Sequence, residues 1–181
     1  MGRGPEAASV GMTEAAFGPD GEAVCAELVG MLRSSDKAVV ERAARTLKKI
    51  AERDGARLFV WRKRLLQEAL RVGDVRVQWN LTIVLGKLPL KGRERALAIE
   101  LMFERLRDES GLNRTFALQA LVDLSEGDAG LRTRLMPIVR EFLEHGTPAM
   151  KARARKLLVA ARTKSRSLRD DNQKGKGAGG R

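Results

Sequence analysis

Residues 74–88 read DVRVQWNLTIVLGKL, and this stretch decides the fold class of the chain. Its apolar residues Val77, Leu81, Leu85 and Leu88 are spaced by four, four and three positions, which places them on one face of a helix. Asp74 stands just ahead of them, and an oxygen of its side chain can accept a hydrogen bond from the free N–H groups of a first helical turn. The stretch therefore predicts an amphipathic helix that begins after Asp74.

The same pattern occurs three more times along the chain. The capping residues Asp36, Asp74, Ser110 and Thr147 follow at intervals of 38, 36 and 37 residues. The core offsets recur after each further cap, at Val39, Ala43, Leu47 and Ile50, at Asn113, Ala117, Leu121 and Leu124, and at Met150, Ala154, Leu158 and Ala161. A two-helix period near 37 residues is typical of stacked repeats, because one unit cannot bury its apolar face alone. We therefore predict an all-α fold, a right-handed α-solenoid of about four helix pairs.

Helical periodicity defines the domain organisation as well. Breaks rich in Gly, Ser, Asp and Pro separate eight predicted helices, at 21–33, 37–53, 57–71, 75–88, 93–108, 111–125, 129–144 and 148–163. Residues 20–164 then form the repeat domain. Residues 1–19 are rich in Gly and Ala and show little periodicity, and residues 165–181 contain few apolar groups to offset the entropy of ordering. Both segments are therefore predicted to be disordered, the second as a basic tail.

The repeat resembles the HEAT-repeat family, which belongs to the armadillo-type helical repeats. Asp74 stands where that family has its capping Asp, residues 85–88 read LGKL as its second helix does, and residues 42–44 read RAA. The resemblance covers residues 36–163 and departs at residues 78–80, which read QWN where the family has Arg and small residues. It implies a scaffold that docks other proteins, and it implies no particular substrate.

Charge is the second informative feature. The chain has 35 basic and 23 acidic residues and a net charge of +12, and residues 147–169 hold eight basic residues and no acid. Such a cluster attracts polyanions or an anionic membrane surface, or it solvates a terminal repeat. Second helices of HEAT repeats usually line the concave surface, so we expect the partner-binding residues there: Arg42, Arg45, Lys49, Trp79, Asn80, Lys87, Arg153 and Lys156. Trp79 fits either an exposed anchor or a filler between repeats.

Residues that carry chemistry are scarce. One cysteine, Cys25, and one histidine, His145, cannot form a zinc site of ordinary spacing, and no nucleophile motif or phosphate-binding loop is visible. The sequence therefore predicts no catalytic residues, no metal and no cofactor, and a chain that is not an enzyme. Cys25 fits a core position and His145 the end of a helix. With one cysteine and no apolar stretch long enough to span a membrane, a cytoplasmic location is expected.

Two classes of function follow. The leading hypothesis is a non-catalytic HEAT-like scaffold that mediates protein–protein interaction, with a protein partner that is acidic. The alternative is a module that binds polyanions such as DNA or RNA in a basic groove, with phosphate-led, salt-sensitive affinity. Less favoured alternatives are a HEAT-like DNA glycosylase and a pigment lyase, since aromatic residues are few.

Overall fold

A computed structural model describes residues 5–158, with side chains from residue 9 onward, and every regular element in that range is helical. The chain divides into two compact units, residues 1–129 and 130–181. The helices are α1 (Pro5–Ala15), α2 (Gly21–Met31), α3 (Lys37–Arg53), a 3₁₀ helix (Gly55–Trp61), α4 (Arg62–Arg71), α5 (Val75–Lys87), α6 (Gly92–Arg105), α7 (Gly111–Leu124), α8 (Ala129–His145) and α9, which begins at 148 and continues to the last described residue. The all-α prediction is confirmed.

Stacked helix pairs make up the first unit. Helix α2 packs on α3, α4 with its preceding 3₁₀ helix packs on α5, and α6 packs on α7. The second helices of these pairs also pack on one another in series, α3 on α5 and α5 on α7. The first helices follow the same order, since α2 contacts the 3₁₀ helix and α4 contacts α6. This is the nearest-neighbour packing that a repeat of about 37 residues predicts.

All four predicted caps open their helices. The carboxylate of Asp36 accepts from the N–H groups of Ala38 at 2.8 Å and Val39 at 3.4 Å. Asp74 accepts in the same way, from Arg76 at 2.8 Å and Val77 at 3.2 Å. The hydroxyls of Ser110 and Thr147 each accept one N–H at 3.3 Å, from Asn113 and Met150. Equivalent caps thus fix the start of each of these four helices.

The predicted core positions that the structure describes are buried, except two. Val39 and Leu158 are only half-buried, and Ala161 lies outside the described residues. Asn113, the one polar residue at a core offset, is fully buried because its amide donates to Gln78 Oε1 at 2.7 Å and to Asp108 Oδ2 at 2.9 Å. The amide thus replaces apolar packing with hydrogen bonds that tie α7 to α5.

The buried side chain of Arg105 links three helices. Arg105, at the end of α6, donates to the carbonyl oxygens of Ala69 at 2.6 Å and Gln78 at 3.0 Å, and to the hydroxyl of Thr82. Burial lowers the pKa of Arg105 to about 10, against the opposing influence of Asp108 and Glu104. The guanidinium therefore stays charged at neutral pH, and its hydrogen bonds link α4, α5 and α6.

A buried carboxylate links the first two pairs. Glu68 on α4 is 1% exposed; its Oε1 accepts from Arg33 Nε at 2.5 Å and its Oε2 from Arg71 Nη2 at 2.7 Å. Burial on its own raises the pKa of Glu68, but the hydrogen bonds from the two guanidinium groups outweigh it and hold the pKa below its ordinary value. Glu68 therefore stays ionised and connects Arg33, two residues after α2, to Arg71 at the end of α4.

The N-terminal segment differs from its prediction. Residues 1–19 are predicted to be disordered, yet residues 5–15 form α1, which packs on α3. Its contacts are small and polar: Ser9 Oγ lies 3.0 Å from Thr46 Oγ1, and Glu14 pairs with Arg53 at 3.1 Å. Because these contacts need no apolar stripe, the periodicity of residues 1–19 gives no signal for the helix.

The second unit contains α8 and α9. Leu131, Leu135, Val139 and Phe142 of α8 are buried, as are Met150, Ala154 and Leu157 of α9. The predicted end of α9 at 163 and the tail 165–181 lie outside the described residues. Within residues 5–158, no helix is both long and apolar enough to span a membrane.

Candidate functional site

The exposed side of α3 carries a basic stripe. Arg42, Arg45 and Lys49 are three and four residues apart, so they project from one side of the helix. Arg42 is exposed, and Arg45 and Lys49 are half-buried. Arg45 pairs with Glu41 at 2.8 Å, whereas the ion pairs found among the described residues do not include Arg42 or Lys49. These two cations are therefore available to an outside anion.

An aromatic pair lies on the next two helices. The ring of Trp79 on α5 stacks on Phe116 on α7, with centroids 4.9 Å apart and planes inclined by 20°. Lys48 Nζ of α3 lies 5.6 Å from the centroid of the Trp79 ring and 3.2 Å from Glu52. Both rings are half-buried. Trp79 therefore fills the contact between α5 and α7 and still presents part of its ring on the surface.

The sequence-based site set includes two residues whose donor groups already have acceptors within the unit. Lys87 is exposed, but its ammonium pairs with Asp123 Oδ2 on α7 at 2.9 Å. Asn80 is 1% exposed, and its amide donates to the carbonyl of Arg76 at 2.6 Å. Asn80 is thus buried between helices rather than on the exposed face expected for it, because α5 is the middle helix of three and has neighbours on both sides.

Arg153 and Lys156, the last two predicted binding residues, lie on α9 in the second unit. Arg153 is half-buried and Lys156 is exposed. Their place on a second helix of the repeat agrees with the sequence-based register. The face of the first unit consists of the exposed side of α3, α5 and α7, and two of these helices carry the remaining predicted residues: Arg42, Arg45 and Lys49 on α3, and Trp79 and Lys87 on α5.

Two exposed apolar residues on the same helices were not predicted. Val75 of α5 is 42% exposed and Leu112 of α7 is 45% exposed. Each precedes an aromatic residue by four positions, Trp79 and Phe116, so each pair lies on one side of its helix. This i, i+4 spacing is readable from the sequence, but exposure is not, because the same spacing marks a core stripe.

The reactive side chains are not on α3, α5 or α7. Cys25 is fully buried in α2, and burial raises the pKa of its thiol in spite of the positive charge of Arg57. His145 ends α8 with a 77% exposed side chain, 3.7 Å from Glu144. Groups of three or more His, Cys, Asp or Glu residues placed to hold a metal ion are absent from the described part of the chain. The face itself offers cations, an aromatic pair and apolar side chains, which are groups that bind other molecules.

Comparison with known proteins supports the fold. No family model matches the chain, and no curated protein matches it. One similar solved structure is the complex of CpcE and CpcF of phycocyanin lyase from Nostoc sp. PCC7120, with a TM-score of 0.63 and 20% identity over 85% of this chain and 90% of that chain. The likeness confirms a HEAT-like helical-repeat fold, and membership of the HEAT family stays a prediction.

The comparison also corrects two predictions about function. A non-catalytic scaffold and a chain that is not an enzyme were expected because catalytic motifs are missing from the sequence. The similar structure is part of a complex named as a lyase, so both predictions are wrong. The physical reason is that a repeat fold hosts unrelated functions, so the absence of a local motif cannot exclude an enzyme.

Proposed function

We propose that this chain is a helical-repeat subunit of a two-protein complex of the lyase type, and that the face of α3, α5 and α7 binds an acidic protein partner. The likeness to a chain of the CpcE–CpcF complex supports the pairing, since it extends over 90% of that chain. That complex is a phycocyanin lyase, which supports the lyase type. A cytoplasmic location remains part of the proposal.

The observation that carries the proposal is the combination of Arg42, Lys49 and Trp79 on neighbouring helices. Arg42 and Lys49 are cations outside the ion pairs of the described residues, and Trp79, on the adjacent helix α5, is a half-buried aromatic whose ring lies 5.6 Å from the ammonium of Lys48 of α3. Arginine and tryptophan are enriched among the residues that contribute most to protein interfaces. Complementary charge on a partner raises the association rate and selects among partners, so an acidic surface fits this face.

In such a complex, this face holds and orients the protein partner. Arg45 is held by Glu41, which also accepts from Arg76 at 3.4 Å. The guanidinium groups therefore have fixed positions before a partner arrives, which reduces the entropy lost on binding. Lys87 is held in the same way by Asp123.

A photo-crosslinking experiment tests the proposal. A photoreactive residue is placed at position 42 or 49 of the full chain in the source cells, and at position 63 as a control, since Lys63 is an exposed residue of α4. We expect one protein with an acidic surface to crosslink from positions 42 and 49 and not from 63. The purified pair, and neither chain alone, is then expected to change the mass of an acceptor protein by addition or loss of a group.

Two results would contradict the proposal. Equal crosslinking from positions 42, 49 and 63 would show that the face is not a specific binding surface. A stable pair whose incubation with extract proteins leaves all their masses unchanged would show a complex that is not of the lyase type. Both readouts use the whole chain, so they do not depend on the second unit folding by itself.

A further inference from the structure

Four residues form an apolar strip at the start of α5 and α7: Val75, Trp79, Leu112 and Phe116. Val75 and Trp79 are one helical turn apart, as are Leu112 and Phe116. The stacked rings of Trp79 and Phe116 join the two rows, so the four side chains form one surface. We call this surface the apolar strip.

The strip is exposed at both of its aliphatic ends. Val75 is 42% and Leu112 45% exposed, and they are among the few large apolar residues with such exposure in the described part of the chain. Single exposed aliphatic residues are ordinary, but a contiguous apolar group rimmed by charge marks an interaction site. The aromatic pair supplies a rigid base for such a contact.

Cations border the strip on the side of α3. Lys48 reaches over the ring of Trp79, and Arg76, with a 72% exposed side chain, extends towards Glu41 of α3. Arg45 shares that glutamate. Three cations against the two carboxylates of Glu41 and Glu52 leave this border with a net charge of +1, so a partner segment gains most if it places acidic residues along α3.

We propose that the apolar strip docks an acidic amphipathic helix of the partner protein, a proposal that rests on the function proposed above. Two apolar residues of that helix at positions i and i+4 match the one-turn spacing of the two rows, in the manner of helix-in-groove recognition. Acidic residues on its flank face Arg45, Lys48 and Arg76.

Charge distinguishes this occupant from two others. A second copy of the chain carries a net charge of +12, and its overall charge opposes association with a basic border. Residues 159–181 of the chain itself hold seven basic and two acidic residues, a net charge of +5. Their charge therefore has the same sign as the border of the strip. An acidic segment of another protein is the occupant that charge complementarity selects.

A random peptide display library, panned against the full chain and against a V75E/L112E variant, tests this inference. Both residues lie in the first turn of a helix, where an added carboxylate is favourable to the helix dipole, so the variant is expected to fold. Peptides retained by the wild type are expected to be rich in Asp and Glu with apolar pairs at i and i+4. Their Kd should rise by at least about tenfold for V75E/L112E, the change that corresponds to about 1.4 kcal/mol.

A matched control is V60E, because Val60 is 69% exposed on the 3₁₀ helix, outside the strip. It should leave the Kd of the same peptides unchanged. The inference is overturned if the library yields no enriched peptides, if the enriched peptides are basic or neutral, or if V60E weakens binding as much as V75E/L112E. It is also overturned if sedimentation shows a homodimer that V75E/L112E dissociates.

Failure of this inference can be told apart from failure of the proposed function. If a partner crosslinks from positions 42 and 49 but V75E/L112E binds it unchanged, the face binds a protein without the apolar strip. If no partner crosslinks from those positions and no acidic peptides are selected, both proposals fall together.

Discussion

Gly86 of α5 lies directly against Ala120 of α7. A Cβ added to Gly86 would stand 2.8 Å from the Cα and 2.9 Å from the Cβ of Ala120, closer than two carbon atoms can approach. The absence of a side chain at position 86 thus lets the two second helices pack closely, which brings Trp79 and Phe116 into stacking contact at 4.9 Å. The glycine therefore has a packing role that outweighs its low helix propensity.

Gly86→Ala is accordingly expected to destabilise the protein. The new methyl group must push α5 and α7 apart, and overpacking of this kind lowers the free energy of unfolding by about 1–3 kcal/mol. Urea unfolding followed by circular dichroism measures the change. Gly30→Ala is the control, because a Cβ there meets no atom within 4 Å and alanine is the better helix former. If both substitutions stabilise the chain, the close approach of α5 and α7 is not a constraint.

Glu68→Gln is expected to reduce stability near neutral pH by about 1–3 kcal/mol, because it weakens the charged hydrogen bonds from Arg33 and Arg71. The pKa of Glu68 is lowered in the folded state, so the unfolded chain takes up the proton first as the pH falls. The carboxylate's contribution is therefore present above the unfolded pKa of about 4.3 and is lost as the pH falls through the lower folded pKa.

The measurement for Glu68 is the difference in unfolding free energy between wild type and Glu68→Gln, taken from neutral pH down to about pH 3. The difference should shrink across the acidic end of this range. Glu100→Gln on the exposed side of α6 serves as the control and should change stability by no more than about 0.5 kcal/mol. A pH-independent difference would show that Glu68 acts through its shape and not its charge.

Arg105→Lys should lower the melting temperature, because a single ammonium cannot reach the carbonyls of Ala69 and Gln78 and the hydroxyl of Thr82 together. Buried acceptors left without a donor cost about 1–3 kcal/mol. Differential scanning calorimetry measures the loss. Arg107→Lys, at an exposed position just after α6, is the matched control and is expected to leave the melting temperature unchanged. Equal melting temperatures for the two variants would show that the three bonds do not stabilise the fold.

Much of the fold could be predicted from the sequence because caps and core spacing are local signals. Asp36 and Asp74 reveal their helices through residues within four positions of them. Helix α1 could not be predicted, because Ser9 contacts Thr46 across 37 positions and no local pattern encodes that contact.

The candidate site was predictable only in part, for a related reason. Helical spacing places Arg42 and Lys49 on one side of α3, and Arg42 is exposed there although α1 and α5 both pack on α3. On the middle helix α5 the same argument fails for Asn80, because burial there depends on how close the neighbouring helices come. The pairing of Lys87 with Asp123 depends on the same distance.

Reversing the charge of the basic stripe on α3 gives the most direct functional prediction. An R42E/K49E variant should bind the crosslinked acidic partner with an association rate reduced by about tenfold at low salt, because exposed charges act mainly on the rate of encounter. The difference from wild type should shrink as salt is added, since a Debye length of about 8 Å at physiological ionic strength screens exposed charges. Stopped-flow fluorescence of the purified pair measures both effects. K63E/R64E changes the net charge equally from the exposed side of α4 and should have a much smaller effect. Equal slowing by the two variants would mean that the total charge of the chain, and not the stripe on α3, attracts the partner.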